Sequence, residues 1–346
     1  MVRLIAMLAI VYFHIQESTF YIDDYVLSGT NPMNIFFEAY CRWFAFSGFL
    51  IVALTFFLIG WNGLSARKLK TLLAVCFIGI LTLIWVNEEL GQIFLEWDIY
   101  AYLIVSLLLI AFLNSFPKVL FASGAISCLA LALPRSFYSF PQWSGKWFYN
   151  PLFGDYLQEG GGSWPLIPWT GLPILFFALG QWLKKSAASL PYQEQFFRKE
   201  KLIWLVLALL AIPTIGGYYA TPVGPGFSEF VFNRPPIILF GNLFWLILAI
   251  RVSLYRPCNE AIGKLKAFQI LSRWHLSRNF FLFYLVHIFW VGVYTNFPQW
   301  FRDHPQMYWL VFLLTFPLTE LSCEALTRGA QFLKERLGKT KTAAEG

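Results

Sequence analysis

Charge is what this chain has least of. Asp, Glu, Lys and Arg make up 13% of its 346 residues, about half the share in a soluble globular domain. Too few charges are present to cover a water-facing surface, which excludes a soluble globular enzyme. Cysteine is also scarce. Cys41, Cys76, Cys128, Cys258 and Cys323 are scattered, with no Cys-x-x-Cys spacing. That excludes a disulfide framework and a cysteine-based zinc site, and leaves these residues as small packing groups. No internal repeat is visible, which argues against a transporter built from duplicated halves. No cleavable signal peptide is evident either. The first apolar segment lacks a small-residue cleavage site and keeps polar residues inside it, so it reads as a retained span.

Apolar and aromatic residues fill the space that charge vacates. The chain is 58% hydrophobic and 20% aromatic, with a mean hydropathy of +0.58. Hydrophobic runs of spanning length fall at about 4–21, 40–61, 69–87, 95–113, 116–134, 166–183, 202–220, 236–255, 279–297 and 307–327. The expected fold is an all-α polytopic bundle of about ten transmembrane helices. Residues 1–330 form the membrane domain, and 331–346 a polar, frayed cytoplasmic tail. Ten spans put both termini on one side, and Lys and Arg test which side that is. Of the 26 basic residues, 21 fall with the termini, while Arg42, Arg135, Lys146, Arg234 and Arg302 fall opposite. Cytoplasmic loops carry this excess, so both termini are expected in the cytoplasm, with the protein multi-pass in a bacterial inner membrane. The same bias explains the net charge of +7 without a nucleic-acid partner.

Two inter-span segments stand out. The outward stretch at about 135–165 is punctuated by Gly and Pro and dense in aromatics, among them Trp143, Trp147 and Trp164. Such residues either ring the headgroup level or stack on a ligand in a long functional loop. The cytoplasmic loop 256–278 is basic and suited to phosphates or anionic lipid headgroups.

The first span carries the chemistry. Arg3 and His14 are separated by ten residues, LIAMLAIVYF, all apolar. At 1.5 Å per residue they lie about 16 Å apart along a helix axis, which sets Arg3 at the cytoplasmic boundary and His14 near mid-bilayer. An ionisable side chain at that depth marks a functional site. Glu17 follows one turn later on the same face. A carboxylate beside a neutral imidazole fixes its tautomer and stabilises the imidazolium, making a usable general base. Glu96 and Asp98 open the fourth span at its outer end, where either faces an acceptor or orients His14. Arg42 is placed to neutralise one of them. His287 lies mid-span in the ninth segment, where a structural hydrogen bond to another span is its expected use. Asn242 and Gln181 are expected to bond between helices, and Glu320 and Glu324 to pair with cytoplasmic Lys or Arg.

The Arg-x10-His span resembles that of the transmembrane acyltransferase superfamily, which includes the acyltransferase-3 and heparan-α-glucosaminide N-acetyltransferase-like membrane proteins. CRWFAFSGFLIVALTFFLIGWNGLSARKLK is similar to their small-residue-rich second span and basic exit. FLEWDIYAYLIVSLLLIAF resembles a span opened by a polar residue. SWPLIPWTGLPILFFALG resembles a Pro-Leu-Leu-Pro-Trp segment through Pro165, Leu166, Pro168, Trp169, Gly171 and Gly180. SRNFFLFYLVHIFWV is similar to a Tyr-Leu-x-His segment through Tyr284, Leu285 and His287. The acidic residue and Arg-Gly pair that usually precede the first span are missing. The arginine pair after the second is reduced to Arg67 with Lys68 and Lys70.

The resemblance implies an acyl-CoA-dependent acyltransferase, with acetyl-CoA as donor on the cytoplasmic side and no metal. The acceptor it implies is a saccharide hydroxyl or amine on the outer side. Arg3, Arg67, Lys68 and Lys70 then suit the coenzyme phosphates. His14, with Glu17 and Asp98, serves the transfer, either as base toward the acceptor or as a relay that carries the acyl group itself. Glu96, Trp143, Trp147, Trp164 and Trp169 fall to the acceptor. The partners implied are the lipid bilayer, the saccharide and a second copy in a homodimer. A different class also fits an intramembrane His and Glu: a proton-coupled transporter or flippase of a glycan or lipid-linked precursor.

Overall fold

The structure is a computed structural model that describes residues 7, 8, 10, 11, 14, 15, 47–87, 99–133, 166–188, 200–220, 235–254, 256–295, 300, 304 and 307–344. No strand occurs among the described residues. The labelled helices are α1 Ser47–Asn62, α2 Ala66–Asn87, α3 Ile99–Asn114, α4 Pro117–Leu131, α5 Leu166–Trp169, α6 Gly171–Ala188, α7 Glu200–Ala220, α8 Pro235–Leu254, α9 Arg256–Lys264, α10 Lys266–Arg273, α11 His275–Arg278, α12 Phe280–Thr295 and α13 Tyr308–Ala344. The described N-terminal residues are helical as well. Among the described residues, two helical stretches, Leu166–Lys185 and Leu310–Phe332, are long and apolar enough to cross a membrane. Six shorter apolar helices accompany them.

Local chemistry sets the boundaries. Gly63 follows α1 with φ of +84°, a left-handed turn that glycine adopts without strain and that ends a helix. Ser65 then caps α2, its Oγ accepting the Lys68 N–H at 3.3 Å. Pro117 opens α4, where its missing N–H leaves no donor unmatched.

Helix α6 lies at the centre, packed on α1, α3 and α4. Small residues make this closeness possible. A Cβ on Gly60 would overlap the Phe177 carbonyl, and one on Gly180 would overlap the Phe57 carbonyl and sit 2.9 Å from the Trp61 nitrogen. Gly124 meets Ala178 and Gly171 meets Ser127 in the same fashion, as expected where helices approach without a hydrophobic drive. Two hydrogen bonds then fix a register. Tyr102 donates to the Trp169 carbonyl at 2.8 Å, and Gln181 donates to Asn114 Oδ1 at 2.6 Å. Each pair is separated by 67 positions, so α3 and the α5–α6 segment run parallel in one register. By contrast α12 and α13 run antiparallel. Trp290 meets Ser322 at 3.2 Å and the hydroxyls of Tyr294 and Thr315 meet at 3.3 Å. Away from these contacts many large apolar side chains reach the surface: Phe77, Phe112, Ile126, Leu129, Leu209, Ile212 and Leu313 are all exposed.

Three expectations need correction. The tail expected to fray is helical, because α13 continues through Ala344. Its Gln, Leu, Lys, Glu, Arg and Ala are good helix formers, and extending a packed helix avoids the cost of a new nucleus. The basic loop 256–278 is three short helices, α9 to α11. Asn242 directs its amide to Ile238 O in its own helix at 2.8 Å rather than to a neighbour, whereas Gln181 does bond between helices.

Candidate functional site

Met7, Ile10, Val11 and Ile15 are buried, and their i, i+3, i+4 spacing puts them on one stripe of the first helix with His14. This stripe carries His14 to α12. There the spacing of Tyr284 and His287 places both on one face. His14 Nδ1 lies 3.0 Å from His287 Nε2. The two rings are nearly parallel, at 6° and 5.2 Å between centroids. Tyr284 stands edge-on to both, 4.8 Å from His287 and 6.2 Å from His14. Tyr100 of α3 closes the group, 6.1 Å from Tyr284 and seated where Gly79 of α2 leaves room for its ring.

His287 is fully buried. The pair sits about 10 Å into α12, seven residues past Phe280. The 3.0 Å contact holds one proton, and two tautomer pairs satisfy it. When His14 donates from Nδ1, its Nε2 is the basic nitrogen and His287 carries its proton on Nδ1. A proton arriving at His14 Nε2 is then stabilised by a neutral acceptor on the other side of the ring. Chemically, such a pair can serve as a general base with an orienting partner.

Of the residues singled out in the sequence, the structure joins His14 to His287 and leaves others elsewhere. His287 meets His14 of the first helix at 3.0 Å, a contact open to a structural or a chemical use. Trp169 is fully buried, its ring 4.5 Å from Phe49 and its carbonyl held by Tyr102. Arg67, Lys68 and Lys70 are exposed at the start of α2, where Lys68 Nζ donates to Gly63 O at 3.2 Å. Arg3, Glu17, Glu96, Asp98, Trp143, Trp147 and Trp164 lie outside the described residues. Glu96 and Asp98 immediately precede the helix that supplies Tyr100.

A second polar cluster ties the basic linker to the last helix. The His275 backbone N–H donates to both Glu320 oxygens, at 2.7 and 3.0 Å. Its Nδ1 lies 2.9 Å from Glu320 Oε1 and its Nε2 3.1 Å from Thr327 Oγ1. Glu324 pairs with Arg328 at 2.7 Å, one turn away, as expected, but Glu320 takes a histidine rather than a Lys or Arg. Because Glu320 accepts three contacts at a half-buried site, Glu320→Ala is expected to lower stability by about 1.5–3 kcal/mol. A thermal melt in detergent, with an unchanged midpoint as the contrary result, checks it.

No family model, curated protein or solved structure matches the chain.

Proposed function

We propose that the chain is a membrane-embedded acyltransferase. It moves an acyl group, acetyl in the first instance, from cytoplasmic acyl-CoA to a saccharide hydroxyl or amine at the outer side. The observation that carries this reading is the His14–His287 contact at 3.0 Å, joined by Tyr284 inside apolar helices. In the simplest course, His14 Nε2 takes the acceptor proton as the acceptor oxygen or nitrogen attacks the thioester carbonyl. The carbon–sulfur bond breaks, the coenzyme leaves as thiolate, and the imidazolium returns its proton to that sulfur. Arg67, Lys68 and Lys70, exposed at one end of α2, suit the coenzyme phosphates. Helix α2 packs on α12, so the cationic end and the imidazole pair belong to neighbouring helices. His287 orients His14 and shares the charge it gains.

The ten-span layout with both termini cytoplasmic in a bacterial inner membrane is part of this reading. Spans four and six must then run in one direction, and spans nine and ten in opposite ones. The common register of α3 and α6 and the antiparallel α12 and α13 support both requirements. The apolar outer surfaces support a lipid environment.

The test is transfer from labelled acetyl-CoA in proteoliposomes holding a panel of free and lipid-linked saccharides. Label is expected in a glycan product, with release of coenzyme A thiol in equal amount. Movement of an unmodified glycan across the bilayer without any label would favour transport and overturn acyl transfer.

A further inference from the structure

The segment 256–278 connects α8 to α12 and carries Arg256, Lys264, Lys266, Arg273 and Arg278 against one acid, Glu260. It is folded, and it is two-sided. On α10, Lys266, Gln269 and Arg273 follow one another at helical spacing along one face. Ala267, Ile270, Leu271 and then Trp274 share the other. Trp274 packs against the core, yet Leu265 and Ile270 remain 59% and 56% exposed. Lys264, Lys266, Arg273 and Arg278 are exposed too. The linker is held in place from below, since His275 is bound by Glu320 and Thr327 of α13. Beside that anchor α12 and α13 leave an open groove lined by Leu282, Leu326, Thr327, Ala330 and Gln331.

Exposed leucine and isoleucine interleaved with four exposed cations suit one environment, the boundary between headgroups and acyl chains. We propose that α9 to α11 are a docking surface for anionic phospholipid. Phosphate headgroups lie on Lys264, Lys266, Arg273 and Arg278. Acyl chains lie against Leu265, Ile270 and the groove between α12 and α13. The charge complementarity selects the lipid, because a zwitterionic headgroup offers these cations no net attraction. The proposal rests on the membrane location put forward above but is independent of acyl transfer.

Native mass spectrometry of the full-length protein, purified with equimolar phosphatidylglycerol and phosphatidylcholine, tests it. The unmodified protein is expected to retain phosphatidylglycerol at least tenfold over phosphatidylcholine. K264Q/K266Q/R273Q/R278Q is expected to bring the ratio near one while total phosphatidylcholine stays constant. K264Q/K266Q, which leaves the residues flanking the His275 anchor intact, is expected to give an intermediate ratio should the fourfold variant fail to fold. A ratio near one in the unmodified protein, or an unchanged ratio in both variants, would overturn the proposal. Loss of the preference on adding coenzyme A would also overturn it, by assigning the cations to the donor's phosphates. Retention of no lipid of either kind would instead strike at the membrane reading on which it rests.

Discussion

On the acyl-transfer function proposed above, replacing His14 by alanine is expected to lower transfer by about 10²–10⁴-fold, the usual worth of a positioned general base, with normal abundance of the protein. His14 lies on the buried stripe of the first helix, with hydrophobic neighbours one turn before it and directly after it, so trimming the ring leaves the packing of that stripe largely in place. The loss falls on kcat, since the base acts in the transition state and contributes little to holding either substrate. Its partner gives the diagnostic contrast. His287→Phe keeps the ring volume but removes the acceptor at 3.0 Å, and a loss of about 10–100-fold is expected, as for other orienting partners. His287→Gln restores an amide able to meet Nδ1 and is expected to recover part of that loss. It should also displace the acid limb of the pH–rate profile, which a purely structural residue would leave where it was. Full transfer by His14→Ala at normal abundance would remove the imidazole from the mechanism.

Gly180→Val is expected to abolish the folded, monodisperse protein. At this position α6 meets α1 backbone to backbone, and a Cβ would overlap the Phe57 carbonyl. No side-chain rotation relieves such a clash, so the two helices must separate and open the contact that Gly60 makes from the other side. The cost exceeds ordinary overpacking of about 1–3 kcal/mol and enters the range reserved for core failures, above about 4 kcal/mol. Size-exclusion profiles and thermal melts in detergent read it directly. Gly216→Ala is the internal control. No described residue lies within 4 Å of a Cβ there, so the same melt should hold steady or rise, alanine being the better helix former by about 1 kcal/mol. Equal midpoints for Gly180→Val and the unmodified protein would remove the close approach from the account of stability.

Helix content was readable from composition and run length, because apolar runs bounded by Pro, Gly and charge leave little else to form. Which side of each helix faces inward was not. In α4, Leu120 and Leu131 are fully buried while Ile126 and Leu129 are 66% and 70% exposed. In the membrane location proposed above, lipid and protein core are equally apolar, so the hydrophobic periodicity that orients a soluble helix disappears. The candidate site divides in the same way. His14 announced itself as an ionisable residue in an apolar run, and spacing along its own helix offered Glu17 as a partner. His287 comes from 273 positions away, and no local spacing reports which distant helix lies alongside. The Tyr284–His287 interval was the available signal, since two polar aromatics one turn apart in an apolar segment share a face. The polar tail was misjudged for another reason: composition alone does not register that a helix already packed upstream supplies the nucleus.

The distance in sequence between the two imidazoles carries a consequence for how the protein is made. At about 5–20 residues per second, the 273 positions between them put the synthesis of His14 roughly 14–55 s before that of His287. Throughout that interval the contact between the two imidazoles cannot form. The pair exists only once α12 has docked, so a nascent or prematurely terminated chain lacks it. Synthesis through α12 is thereby the earliest point at which the two rings can meet, and unfinished copies lack that contact.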